Sequence, residues 1–154
     1  MAGLWFDDCE VGKVIRHDLH RTVTETDNLL FTTLTHNMQP LHLDAEAAKQ
    51  TQFGKILVNS MFTYSLMVGV SVMDTTMGTV VANLGLDKLR TPHPVHIGDT
   101  LRTETSILDK RPSKSNPGQG VVVFEHRCFN QAGVLVASCE RTALLRRRPD
   151  DIAP

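Results

Sequence analysis

Two observations predict an α+β fold in which one antiparallel sheet wraps round one central helix. Strand-like and helical segments are segregated along the chain: one strand, then helices, then four strands after Gly78. The longest helical segment, at about 57–73, is apolar on nearly every side, which is typical of a helix covered by other structure. The length of 154 residues suits one domain. We therefore expect a single domain over 1–154, with its core at about 5–146 and a flexible polar tail at 147–154.

The first half of the chain is predicted to contain a strand at 14–23 and then short helices. Thr24 begins the first helix, because its hydroxyl can cap the first turn while Asp27 stands three residues on, as in a capping box. Four residues supply the apolar face of this helix: Leu29, Leu30, Phe31 and Leu34. Asp44 is expected to cap a second short helix. Gly69 in the central helix costs about 1 kcal/mol relative to alanine, which indicates a close neighbour at that position.

The second half of the chain is strand-like, with segments at 79–90, 100–109, 120–129 and 133–146. In the second segment, apolar and threonine side chains alternate with Arg102, Glu104 and Ser106, which is the period of a half-buried strand. The Asn-Gln-Ala-Gly sequence at 130–133 predicts a tight turn, and a loop is expected at 110–119. A long antiparallel sheet around one helix is the hot-dog fold, which is therefore the fold that the sequence predicts.

The composition argues against several classes of protein. A formal net charge of −1 gives no sign of a nucleic-acid partner or an anionic membrane. Cys9, Cys128 and Cys139 lack CxxC spacing, so we expect reduced, buried thiols and no metal site. The first ten residues do not resemble a signal peptide, and the apolar segment at 57–73 is too short and too polar to span a bilayer. We expect a cytoplasmic protein without a membrane partner.

The segment at 36–42, His-Asn-Met-Gln-Pro-Leu-His, is the most informative in the chain. It is followed by Phe-Gly at 53–54, by Asn-Ser at 59–60, and by Pro-Val-His-Ile-Gly-Asp at 94–99. These blocks resemble the MaoC-like family, which includes the R-specific enoyl-CoA hydratases. Its signature reads Gly-Asp-x-Asn-Pro-Leu-His, followed by Phe-Gly and a His-Gly pair, with a later Pro-Val-x-x-Gly-Asp turn. The spacing matches without a gap, and the resemblance covers about residues 5–145.

The resemblance implies a hydratase or dehydratase of acyl-CoA thioesters. In the family, the Asp and His of the signature activate one water for addition to an enoyl thioester. A backbone N–H at the start of the central helix receives the thioester oxygen, where the helix terminus supplies unpaired donors and partial positive charge. The matching catalytic positions here are His42 and Asn37, and Ser60 supplies the N–H. Gln39 and Asn59 are the neighbouring candidates for substrate binding.

Three departures from the signature bear on the mechanism. The family's Asp is Asn37 here, its Asn is Gln39, and its His-Gly pair is Asn59-Ser60. An amide cannot accept a proton at neutral pH, whereas His42 can. Three alternatives follow: His42 transfers protons alone, the site has been re-tuned, or it is inactive. The chain is most similar to short members of the family with Gln-Pro-Leu-His, which are associated with hydration of small dicarboxylic acyl-CoA substrates of the itaconyl or mesaconyl type.

The function predicted from these features is an acyl-CoA hydratase or dehydratase that works on a short, polar or dicarboxylic enoyl thioester. Coenzyme A enters as part of the substrate, and no separate cofactor is expected. Arg90 is a candidate contact for the coenzyme A phosphates, and Lys110, Arg111 and Lys114 are either a second such group or a solvated loop. A homodimer or higher homo-oligomer is expected, because a lone sheet leaves its edges exposed. The alternatives are a non-catalytic acyl-CoA-binding protein and a thioesterase, which needs a carboxylate to activate water.

Overall fold

The computed structural model describes residues 3–149 and contains an antiparallel sheet packed against one long helix. Its elements, in chain order, are β1 (Val14–Arg16), β2 (Arg21–Thr22), α1 (Glu25–Leu34), α2 (Pro40–Leu43), α3 (Ala45–Lys49), α4 (Ser60–Thr75), β3 (Val80–Arg90), β4 (Thr100–Pro112), β5 (Gln119–Phe129) and β6 (Leu135–Arg146). The strand order is β1-β4-β5-β6-β3, and β2 also pairs with β4. The hot-dog fold predicted from the sequence is confirmed, and β3 forms one edge of the sheet.

The four long strands of the second half lie close to their predicted positions. The alternation in β4 is observed directly, because Leu101, Thr103, Thr105 and Ile107 are all buried. The predicted strand at 14–23 is instead two short strands separated by residues 17–20. Between them the His17 ring turns into the protein, where Nδ1 lies 2.6 Å from Asp74 Oδ2 and Nε2 lies 2.7 Å from Thr105 Oγ1.

The core has two parts, one against α4 and one against the N-terminal turn, a single 3-10 turn at Phe6–Asp8. Tyr64 and Met67 of α4 pack on residues of β4, β5 and β6, including Leu101 and Val136. The second part surrounds Phe6, whose ring lies so close to Gly120 that a Cβ there would come within 2.2 Å of it. A glycine is therefore required in β5 at this point, because any larger residue would displace the ring.

The predicted apolar face of α1 is wrong. Leu29, Leu30 and Leu34 are 52%, 56% and 71% exposed, whereas Asn28 and Thr32 are buried. Amphipathic patterning assumes that a helix buries its apolar side. Here the polar side faces the protein interior, because Asn28 bonds to the main chain of His42 and of Asn59. Thr32 bonds to the Asn37 N–H and to the Asn59 side chain.

Helix α4 is also less enclosed than its sequence predicts. It runs over Ser60–Thr75 rather than 57–73, and Met61 and Met73 are more than half exposed. A Cβ at Gly69 would meet nothing within 4 Å, so the predicted close neighbour is not supplied by residues 3–149. The sheet of one chain covers one side of the helix and leaves the opposite side open.

The two ends of the described chain meet. Arg147 bonds to Asp7, and Arg148 bonds to Asp8 through both carboxylate oxygens. The side chains at 147–148 thus hold the N-terminal turn, although the sequence assigns them to a flexible tail; the rest of that predicted tail from residue 150 lies outside the described residues.

Within 3–149, no helix has the length and hydropathy needed to cross a bilayer.

Candidate active site

Helix α1, which leads into the loop before α2, has a well-defined start. Thr24 Oγ1 accepts the Asp27 N–H at 3.2 Å and Asp27 Oδ2 accepts the Thr24 N–H at 2.9 Å, so the predicted capping box is confirmed. After the helix, His36 adopts a φ of 55°. This left-handed conformation favours glycine, which is the residue that the MaoC-like signature carries at this place. His36 is exposed.

Asn37 and Gln39 shape the turn into α2. The Asn37 N–H donates to Thr32 O at 3.0 Å, and the Asn37 Oδ1 accepts the Gln39 N–H at 3.3 Å. Pro40 then occupies the first helical position, where its missing N–H leaves no bond unmade. The Asn37 side chain is half-buried and the Gln39 side chain is exposed. The Nδ2 group of Asn37 has no hydrogen-bond partner among residues 3–149, so it remains available to a ligand.

His42, at the end of this turn, has a defined tautomer. Its Nδ1 lies 2.7 Å from Leu57 O, and a carbonyl oxygen can only accept, so Nδ1 carries the hydrogen. The lone pair is then on Nε2, which has no hydrogen-bond partner among residues 3–149. The Leu57 N–H donates in turn to Leu41 O at 3.2 Å. A neutral imidazole held in this way can accept a proton at Nε2.

Helix α4 begins three residues beyond Leu57. Asn59 is the N-cap: its Oδ1 accepts the Met61 N–H at 3.0 Å, and its Nδ2 donates to the Thr32 hydroxyl at 3.3 Å. The Asn59 side chain is buried, and both ends of its amide are occupied by the protein itself. The Ser60 N–H, in the first turn, finds no acceptor within the described residues. The helix terminus therefore presents this donor together with partial positive charge.

A cavity of about 230 Å³ opens beside Ser60. Its apolar wall comes from the segment that precedes α4, from the loop after β3 and from β6: Phe53, Leu57, Val58, Pro92, Pro94, Val95 and Val136. Ser60, Thr63, Thr91 and His93 supply the polar part of the lining. His93 Nδ1 lies 2.9 Å from Leu135 O, so its Nε2 carries the lone pair. No Asp or Glu of residues 3–149 lines this cavity.

The candidate cations differ in their surroundings. Arg90 is exposed at the end of β3, directly before Thr91 of the cavity wall. Lys110 lies over the Phe6 ring, 5.2 Å from its centre, and its Nζ is 3.5 Å from Phe6 O. Arg111 and Lys114 are exposed. Of these four residues, Arg90 is the one that directly precedes a cavity-lining residue in the sequence.

The other titratable groups of the interior belong to the scaffold. Burial raises the pKa of the Cys9 and Cys139 thiols to about 11 and that of Cys128 to about 12, which leaves them protonated and unreactive. All three are buried free cysteines, as the sequence predicts. Burial, with smaller contributions from Arg141 and His17, lowers the pKa of His126 to about 3. No cluster of three or more potential metal ligands occurs in the described part of the chain.

Comparison with known proteins supports one family. The family model described as "MaoC like domain" matches residues 8–126. The chain is 33% identical over 153 residues to a mesaconyl-CoA hydratase of Cereibacter sphaeroides, which covers 99% of this chain and 44% of that protein. The chain spans less than half the length of the two curated relatives with which it aligns from end to end.

Two solved structures show the same architecture. A monoamine oxidase regulatory protein from Archaeoglobus fulgius has a TM-score of 0.85 and 34% identity, over 96% of this chain and 97% of that one. A Mycobacterium tuberculosis protein with a double hotdog fold has a TM-score of 0.87 and 26% identity, over 99% of this chain and 46% of that one. The fold defines a hot-dog protein, in which a histidine loop lies beside a helix terminus. The chain belongs to the MaoC-like domain family.

Proposed function

We propose that this protein is an acyl-CoA hydratase or dehydratase, which adds water to an enoyl thioester or removes it. The observation that carries the proposal is His42, whose Nδ1–H is fixed on Leu57 O two residues before the helix N-cap. This bond holds the base against the short segment that also carries the free N–H of Ser60. The similarity to a mesaconyl-CoA hydratase supports the same reaction class.

In the hydration direction, His42 Nε2 takes a proton from water while the water oxygen forms a bond to the β-carbon of the enoyl group. The π electrons of the double bond move toward the thioester, whose oxygen becomes an enolate. The Ser60 N–H and the α4 terminus stabilise this negative charge. The His42 imidazolium then returns its proton to the α-carbon. The sum is one water added across one double bond, and dehydration is the reverse.

Asn37 has a supporting role in this scheme. Its amide cannot take a proton, so in the pair of Asn37 and His42 the histidine carries the proton. The Asn37 amide, which already holds the turn through Gln39, orients the water with its remaining hydrogen-bonding capacity. Of the three alternatives left open by the sequence, the one that we propose is therefore proton transfer by His42 alone.

The substrate that we propose carries a short acyl group with a second polar or anionic substituent. A volume of about 230 Å³ suits a small group, and Ser60, Thr91 and His93 bring hydrogen-bonding side chains to the lining. Burying such groups against a plain alkyl chain leaves them unpaired, at about 1–3 kcal/mol each. Asn59 adds nothing here, because its amide caps α4. Gln39 is exposed and does not line the cavity, and it remains a candidate for substrate binding.

Coenzyme A is expected to lie outside the cavity, with its phosphates near Arg90. Arg90 is exposed and directly precedes Thr91, and a guanidinium can bond a phosphate through two parallel N–H groups. Lys110 is a weaker candidate, because it is already held over the Phe6 ring.

A homodimer is the assembly that we propose. Edge strand β3 exposes four apolar side chains, Val81, Leu84, Leu86 and Leu89, and α4 exposes Met61 and Met73. The matching structure with a double hotdog fold is about twice as long as this chain, so a second copy here takes the place of its second half. The two open surfaces would then be covered together.

The test is a direct assay of the purified protein with crotonyl-, mesaconyl- and itaconyl-CoA. Loss of the enoyl thioester absorbance is followed together with release of free thiol. We expect loss of the enoyl absorbance without thiol release, and kcat/KM at least tenfold higher for a dicarboxylic thioester than for crotonyl-CoA. Equal or better use of crotonyl-CoA contradicts the polar substrate, thiol release indicates a thioesterase, and binding without turnover indicates a non-catalytic protein.

A further inference from the structure

Helix α1 carries its polar residues inward, the reverse of an ordinary surface helix. Asn28 and Thr32 stand one turn apart on the same side of the helix, and both are almost completely buried. Leu30 and Leu34 are exposed instead. A residue that breaks the usual pattern is often held in place by function rather than by stability.

Asn28 joins two segments of the proposed site through one side-chain amide. Its Nδ2 donates to His42 O at 2.9 Å, and its Oδ1 accepts the Asn59 N–H at 3.0 Å. A single planar group therefore fixes the main chain at the proposed base and the main chain directly before Ser60. Thr32 supports both sides, because its carbonyl accepts the Asn37 N–H and its hydroxyl accepts from Asn59 Nδ2.

We infer that Asn28 is a positioning residue, which sets the separation between the His42 imidazole and the Ser60 N–H. The inference rests on the proposed function. In hydration the imidazole must reach a water at the β-carbon while the N–H reaches the thioester oxygen of the same molecule. A misplacement of about 1 Å is enough to slow such a reaction about a hundredfold. The Asn28 side chain bonds to neither His42 Nε2 nor the Ser60 N–H, since its two bonds join it to His42 O and to the Asn59 N–H.

The first test compares three variants of the full chain in the assay with the best thioester. Asn28→Leu removes both bonds at similar size, and Asn28→Asp keeps the acceptor for the Asn59 N–H but loses the donor to His42 O. Thr75→Val is the matched control, because it also removes a buried hydrogen bond, to Ser71 O, but near the opposite end of α4. We expect kcat to fall ten- to a hundredfold in Asn28→Leu and less in Asn28→Asp, with KM within threefold. Thr75→Val should lower the melting temperature and leave kcat within twofold.

A second readout needs no turnover. The ¹⁵N signals of the histidine rings, with His42 assigned by its loss in a His42→Gln variant, report which ring nitrogen carries hydrogen. We expect a single Nδ1–H tautomer in the wild type and a mixture in Asn28→Leu, whereas Thr75→Val should match the wild type. A kcat for Asn28→Leu within twofold of the control, or unchanged His42 signals, overturns the inference. If the wild type hydrates no thioester, the proposed function fails, while the ring signals still decide whether Asn28 positions His42.

Discussion

His42 differs from the usual catalytic histidine in the group that orients it. Its Nδ1–H bonds to a backbone carbonyl, Leu57 O, rather than to a carboxylate. A neutral carbonyl fixes the tautomer but adds no charge to stabilise the imidazolium that forms when Nε2 takes a proton. The free Nε2 is therefore the chemically important atom of the side chain, and its removal is the most direct test at the scale of one residue.

We expect His42→Ala to lower kcat/KM for hydration at least a thousandfold while the protein stays folded, because the Asn37 amide cannot take over the proton transfer. Enoyl absorbance measures the rate, and circular dichroism checks the fold. His20→Ala, which removes an exposed histidine outside the site, serves as the control and should keep wild-type activity. Hydration within tenfold of the wild type in His42→Ala would remove this residue from the mechanism.

Single residues also show which parts of the site the sequence can reveal. The block at 36–42 predicts the loop because its residues are close together in the sequence. The Thr24–Asp27 cap could be predicted for the same reason, and the structure confirms it. The occupied amide of Asn59 could not be predicted, since its partners include Thr32, 27 residues away. The cavity wall at Thr91 and His93 was missed as well, because it meets the segment before α4 only in the folded chain, where the Val58 N–H donates to Val95 O at 2.9 Å.

At the scale of elements, hydrophobic patterning predicted the long strands well and the faces of the helices poorly. Strand β4 buries alternate residues because one side of the sheet faces the core. In α1 the same reasoning failed, because Asn28 and Thr32 find hydrogen-bond partners inside and the leucines remain outside. A pattern of apolar residues cannot reveal which buried polar groups will be paired.

A chain of polar side chains also connects strand β4 with β5 and with the end of α4. Asp74 bonds to His17, His17 to Thr105, and the Thr105 hydroxyl lies 2.8 Å from His126 Nδ1. The His126 Nε2 is buried without a partner among residues 3–149. No carboxylate of residues 3–149 bonds to this ring, and the charge of the buried Arg141 opposes a positive charge on it.

This interior predicts how stability depends on pH. The pKa of His126 is about 3 in the folded protein, against 6.5 as its ordinary value, so below pH 6.5 the unfolded chain binds the extra proton. The free energy of unfolding should therefore fall as the pH drops from 6.5 toward 3, by up to about 1.4 kcal/mol per pH unit from this residue. Urea unfolding at pH 7, 6 and 5 measures the slope. His126→Asn, which can keep the bond to Thr105, should be less stable at pH 7 but show a flatter slope; an unchanged slope would assign the acid sensitivity to another group.

At the scale of the whole molecule, one chain leaves two apolar surfaces open. Strand β3 has no neighbour on its outer side, and Met61 and Met73 of α4 face outward on either side of Gly69. A long edge strand with exposed apolar side chains favours pairing with another chain. A curated relative is more than twice as long as this chain, and a solved structure about twice as long has a double hotdog fold.

We therefore expect a homodimer, with a mass about twice the 17.1 kDa of one chain, that persists at micromolar protein in light scattering. Leu84→Glu places a charge in the middle of the exposed β3 edge and should shift the protein toward the monomer, with a loss of stability that depends on protein concentration. Leu19→Glu is the matched control, because Leu19 is similarly exposed but lies outside the sheet. It should leave the dimer intact.

If the wild type is a stable monomer, the open surfaces of β3 and α4 have another partner, and the proposed assembly is wrong. If Leu84→Glu stays dimeric while the wild type is a dimer, the two copies meet through α4 or another surface rather than through β3.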